Sequence, residues 1–106
     1  MMYAPRMRTL YSSLLFFLAL AISACATKPP VQEMSDARQA VAAALDVGAE
    51  DYYPSLVEEA NMRLDSAEKN MRSGVYWAAK RDAEAAKDYA IDALLSTRRT
   101  KLEPAE

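Results

Sequence analysis

Met71-Arg72-Ser73-Gly74-Val75-Tyr76-Trp77-Ala78-Ala79-Lys80-Arg81-Asp82-Ala83-Glu84-Ala85-Ala86 determines what kind of chain this is. Downstream of Gly74, the residues Tyr76, Ala79, Ala83, Ala86, Ala90, Ala93 and Leu94 recur at steps of three and four, which is one face of a helix with a coiled-coil-like seam. Alanine is the best intrinsic helix former. As the seam residue it also lets a neighbouring helix approach to the short end of the usual 8–10 Å axial separation. Ala78, Ala85, Tyr89 and Ile91 widen the stripe, so this helix can serve more than one neighbour. It is expected to end near Arg98-Arg99, whose charges suit a helix C-terminus. The single glycine before it predicts a sharp reversal and an antiparallel pair. Reflection about Gly74 sets Met71 near Trp77, Ala67 near Arg81, Ala60 near Asp88 and Tyr53 near Leu95.

Upstream, a second helix is predicted from about Pro54 to Ser73, with Leu56, Ala60, Leu64, Ala67 and Met71 on its apolar face. Two start signals compete. Pro54 suits a first turn because its missing N–H has no partner there, and Ser55 with Glu58 has capping-box spacing. Glu59–Arg63, Asp65–Lys69 and Glu68–Arg72 place an acid four residues before a base and read as a solvated face. An earlier helix is predicted from Val31 to Val47 on Met34, Ala37, Val41, Ala44 and Leu45. Gly48 stands where a C′ glycine belongs, and Ala49–Tyr53 forms the connection. The fold class is therefore all-α: a small antiparallel helical hairpin plus one N-terminal helix, in a three-helix arrangement that looks like a single tetratricopeptide-type hairpin. The alanine-rich domain spans 31–102, with a short tail at 103–106.

The first residues have a different character. Arg6 and Arg8 precede an apolar run from Leu10 to Ile22, and Ser23, Ala24 and Cys25 follow. Charged start, apolar middle and small-residue exit is the order of a secretory signal. The run is about 13 residues, shorter than the roughly 20 a bilayer core requires. Ile22-Ser23-Ala24-Cys25 resembles the bacterial lipobox. That resemblance implies cleavage between Ala24 and Cys25, diacylglycerol on the Cys25 sulfur and acylation of the new amino group. Residues 1–24 are then a signal peptide, and 25–30 a lipidated tether that Pro29-Pro30 stiffens. Two or more acyl chains give a firm membrane anchor where one gives a reversible one. Ala26, rather than an aspartate, follows the cysteine. By the same resemblance this favours the outer membrane, with the domain facing the periplasm.

Without Arg6 and Arg8, the remaining 82 residues carry 11 Lys and Arg against 15 Asp and Glu, a formal charge of −4. This balance argues against nucleic acid, which needs a basic footprint. It also argues against a protein lying flat on an anionic membrane. Cys25 is the sole cysteine and there is no histidine. An intrachain disulfide is excluded. The commonest general base, a free thiol nucleophile and zinc sites built from His and Cys have no residues to serve them. No Gly-rich phosphate loop occurs. Glu58-Glu59 point about 100° apart on a helix, and Glu50-Asp51 suit the positive start of the second helix. No enzyme, metal or cofactor is expected.

Tyr52, Tyr53, Tyr76 and Trp77 are the candidate partner-binding residues, two at each end of the hairpin. They have two readings: they seal the ends of a thin alanine core, or they form docking patches, where Tyr and Trp are enriched. Arg98-Arg99-x-Lys101 either complements a helix end or touches anionic groups. The order of Tyr52-Tyr53-Pro54, Ala60, Leu64, Ala67, then Gly74-Val75-Tyr76 and spaced alanines, behind a lipobox, resembles the bacterial lipoprotein family built on domain of unknown function 4398. The likeness covers about residues 29–98. It implies location and shape, since that family carries no catalytic assignment. A hairpin of this size often pairs with another chain, so a protein partner or homo-oligomer is expected. Two functions follow as expectations: a non-enzymatic envelope lipoprotein acting as a membrane-tethered adaptor or structural element, or a binding module for peptidoglycan fragments or a small apolar ligand.

Overall fold

A computed structural model describes the backbone of residues 4–26 and 28–103, and the side chains of residues 7–20 and 28–103. The described residues form α1 (Ala4–Ala26), α2 (Val31–Asp46), α3 (Ala49–Tyr52), α4 (Pro54–Arg72) and α5 (Tyr76–Leu102), with no strand among them. The fold is all-helical.

Three of these helices build one body. Glu33 and Lys80 approach to 3.9 Å at the starts of α2 and α5, and Lys101 near the end of α5 donates to the Val47 carbonyl at the end of α2. These two helices therefore run the same way. Helix α4 runs against them: Asn70 near its end meets Asp82 near the start of α5, while Tyr53 at its start meets Thr100. The reversal at Gly74 has a backbone cause. Gly74 sits at φ 76, its N–H donates to Met71 O at 3.2 Å, and Val75 N–H donates to Asn70 O at 2.9 Å. This paired closure satisfies two carbonyls that α4 would otherwise leave open and requires a left-handed residue. Gly48 does the same job after α2, at φ 78, donating to Leu45 O at 3.0 Å.

The core follows the seam. Ala79, Ala83, Ala86, Ala90 and Ala93 are buried on α5, facing Met34, Ala37, Val41 and Ala44 of α2 and Val57, Ala60 and Ala67 of α4. One cluster gathers Val41, Ala44, Ala49, Val57, Ala60, Ala90 and Ala93; a second gathers Met34, Ala37, Ala67, Ala83 and Ala86. Thr97 continues the stripe one step beyond Ala93 and is fully buried. Few of these side chains are large, so the core is held by close backbone approach rather than by bulk.

Several expectations are corrected. Ala49–Tyr52, read as a connection, is one turn of helix, begun at Gly48 and fixed by the buried Ala49. Pro54 sets the start of α4 with Tyr53 as its N-cap and no side-chain cap bond, so the Ser55–Glu58 capping box does not form. Leu45 is 40% exposed, because Ala44 takes the inward position of that turn. Val57, outside the expected stripe, is buried against Ala60 and Ala90. Of the three acid–base pairs on α4, Glu59–Arg63 comes to 4.0 Å, while Glu68 turns across the bundle to Arg38 at 3.4 Å. The Tyr53 hydroxyl bonds the Thr100 hydroxyl at 2.7 Å, farther along α5 than Leu95; Ser73–Val75 lie outside both helices. Helix α5 runs to Leu102, a turn beyond the arginines.

Helix α1 stands apart. It makes no contact with another helix among the described residues, and Leu10, Leu14, Leu15, Phe16, Phe17, Leu18 and Leu20 are all exposed. The molecule is accordingly elongated, 88 × 31 × 15 Å. No described helix is long and apolar enough to cross a membrane.

Candidate functional site

Cys25 lies in the last turn of α1, three residues before Lys28, where the described chain resumes after Ala26. The side chains of Ala24 and Cys25 fall outside the described residues. Beyond them, Lys28 and Pro29 are exposed, Pro30 is buried as the N-cap of α2, and its carbonyl accepts from Met34 N–H at 3.1 Å. The link between Cys25 and the folded body is therefore four residues, 26–29.

The four candidate aromatics occupy opposite ends and four different environments. Tyr53 is half-buried, and its hydroxyl bonds the Thr100 hydroxyl, which also donates to Ser96 O at 2.9 Å. Tyr52 is exposed, with the Lys101 ammonium 5.6 Å from its ring centre. Lys101 thus ties three elements: it lies beside Tyr52 of α3, supplies a cation to the C-terminal carbonyls of α2, and belongs to α5. This half of the Arg98-Arg99-x-Lys101 cluster serves a helix end. At the other end, Tyr76 is half-buried, while Trp77 is 70% exposed, its ring 5.2 Å from the Arg81 guanidinium carbon. Of the two readings for these residues, sealing the core fits Tyr53; it does not fit Trp77, which seals nothing.

Trp77 instead forms one wall of an open groove of about 620 Å³, with Pro29, Pro30, Val31, Tyr76 and Lys80 among its lining. A second shallow depression of about 400 Å³ lies around Val31, Met34, Arg38 and Arg72. Both are at the end of the bundle where the tether enters.

Sequence reasoning missed Asp82. It is 2% exposed, and its Oδ2 accepts from Ser66 Oγ at 2.7 Å and Asn70 Nδ2 at 2.9 Å. Its Oδ1 lies 3.6 Å from Arg81 and 3.9 Å from Arg63. A buried carboxylate persists only when its charge and lone pairs are matched, and here two hydrogen-bond donors of α4 and two neighbouring arginines match them. The signal was present: Asp82 falls inside the α5 stripe, and Ser66 and Asn70 are four apart on α4. Ser66 and Asn70 of α4 both bond the carboxylate, so the cluster clamps α4 to α5. No group of three or more Cys, Asp or Glu that could hold a metal occurs among the described residues.

No family model, curated protein or solved structure matches this chain.

Proposed function

We propose that this chain is a lipid-anchored protein of the bacterial envelope, attached through Cys25. Its helical domain acts on the periplasmic side of the outer membrane as a non-enzymatic adaptor or structural element. The observation that carries this reading is the separation of α1 from the body. A 23-residue helix with an exposed apolar run, packed on no other helix, contributes nothing to the core and can be removed without cost to it. That is how a cleaved leader should relate to the domain it exports. Membership of the domain of unknown function 4398 family belongs to the same proposal, as does the description of α4 and α5 as a hairpin with α2 docked beside it.

The adaptor role rests on what the domain offers a partner: open surfaces and exposed aromatics at both ends. Peptidoglycan fragments or a small apolar ligand are the alternative occupants, and the groove at Trp77 is the candidate place for them; its openness favours a broad partner over an enclosed ligand. Fractionation of the producing cells tests the anchor. Wild-type protein pellets with membranes as a chain that begins at an acylated Cys25, whereas Cys25→Ala protein keeps its leader and carries no acyl chain by mass. Crosslinking in intact envelopes then separates the roles: one protein recovered reproducibly supports the adaptor, and glycan strands alone overturn it.

A further inference from the structure

The overall acidity of the domain conceals a basic end. The first turn of α2 with its tether (28–34) and the segment from the last turn of α4 into α5 (69–81) contain Lys28, Lys69, Arg72, Lys80 and Arg81, with Glu33 as the sole acid. That is a net +4, so the rest of the 82 residues carries −8. The five cations are exposed. Asp82, next in sequence, is buried with its carboxylate on Ser66 and Asn70, and it offsets Arg81 at 3.6 Å. Glu33 offsets a second cation, at 3.9 Å from Lys80. Parts of the two segments share a surface: Lys28, Pro30, Val31, Trp77 and Lys80 line the same groove with Glu33, and Arg72 adjoins Val31 in the neighbouring depression, where Arg38 is paired with Glu68. Among the cations stand three exposed apolar side chains, Val31, Val75 and Trp77.

We propose that this end docks on a phospholipid surface with anionic headgroups and stands the bundle upright on the membrane. The proposal rests on the Cys25 anchor of the preceding reading. Three features on one face select this occupant. Amphipathic Trp settles at the depth of the headgroups. Clustered Lys and Arg are drawn to anionic lipid at close range. The link of residues 26–29 reaches at most about 3.5 Å per residue, so a lipid on Cys25 holds the start of α2 within a few residues' length of the bilayer. The acidic remainder is repelled by the same surface. The domain is therefore oriented end-on, and its other end, with Tyr52 and Lys101, faces away toward a partner.

Trp77 is the sole tryptophan, so it reports its own environment. The full chain, produced in a bacterium that processes lipoproteins, is reconstituted into vesicles of phosphatidylcholine with or without phosphatidylglycerol, and its mass is recorded. In anionic vesicles, Trp77 emission shifts to the blue, brominated phospholipid quenches it and iodide does not. The surface variant K28Q/R72Q/K80Q, with unchanged helicity, loses this shielding by roughly fivefold per charge removed, and added salt does the same. Water-like emission on protein that floats with the vesicles overturns docking and leaves the anchor standing. Quenching by brominated lipid on protein whose Cys25 is bare overturns the anchor and leaves docking standing. Water-like emission on protein with bare Cys25 overturns both. A blue shift without brominated-lipid quenching means Trp77 is covered by a second copy and also overturns the proposal.

Discussion

Asp82 and Thr97 are the two buried polar residues of α5, and they have opposite effects. Asp82 joins Ser66 and Asn70 through bonds of 2.7 and 2.9 Å, and hydrogen bonds to a charged group are each worth about 1.5–3 kcal/mol. Asp82→Ala strands both donors at a partly buried site and should cost about 2–3 kcal/mol in urea unfolding; a loss under half a kcal/mol would contradict the clamp. Thr97 has a buried hydroxyl with no hydrogen-bond partner. Thr97→Val keeps the shape and removes that desolvated group, so it should raise stability by about 1 kcal/mol. The residue scale is also where the sequence was hardest to read. Asp82 drew no reading from the sequence, because its burial is set by donors sixteen and twelve residues away. Of the two readings open for Trp77, sealing the core does not fit, because the alanine seam closes without it.

The elements were more legible, because alanine spacing and glycine placement act locally. The stripe from Ala79 to Ala93 is buried as its period required, and both glycines sit at positive φ at helix ends. What escaped was end geometry. The single turn at Ala49–Tyr52 and the start of α4 depend on which of two signals wins, and the fixed φ of Pro54 outweighed a cap that Ser55 could have made. Two predictions belong here. Gly74 has no neighbour within 4 Å of an added Cβ, so Gly74→Ala costs only the left-handed backbone, about 1–2 kcal/mol by thermal or urea unfolding, and Gly74→Asn costs less. Ala86, fully buried where α5 meets α2 and α4, tolerates no bulk. Ala86→Leu should cost about 1–3 kcal/mol or more, and if it proved neutral, the close helix approach would be refuted.

At the scale of the whole molecule, a small alanine-cored body is joined by a four-residue link to a helix that packs on none of it. The body's size and thin core explain why its stability rests on backbone closure and one polar clamp. Its charge is uneven, a +4 end against a −8 remainder that total composition averages away, and in the proposed docking it is the basic end that meets the membrane. The proposed attachment through Cys25 would connect these features, and intact-mass spectrometry of the protein from its producing cells tests it most directly. The account predicts a chain beginning at Cys25 that carries diacylglycerol on sulfur and an acyl group on nitrogen. A chain still beginning at Met1, with an unmodified thiol at Cys25, would contradict it.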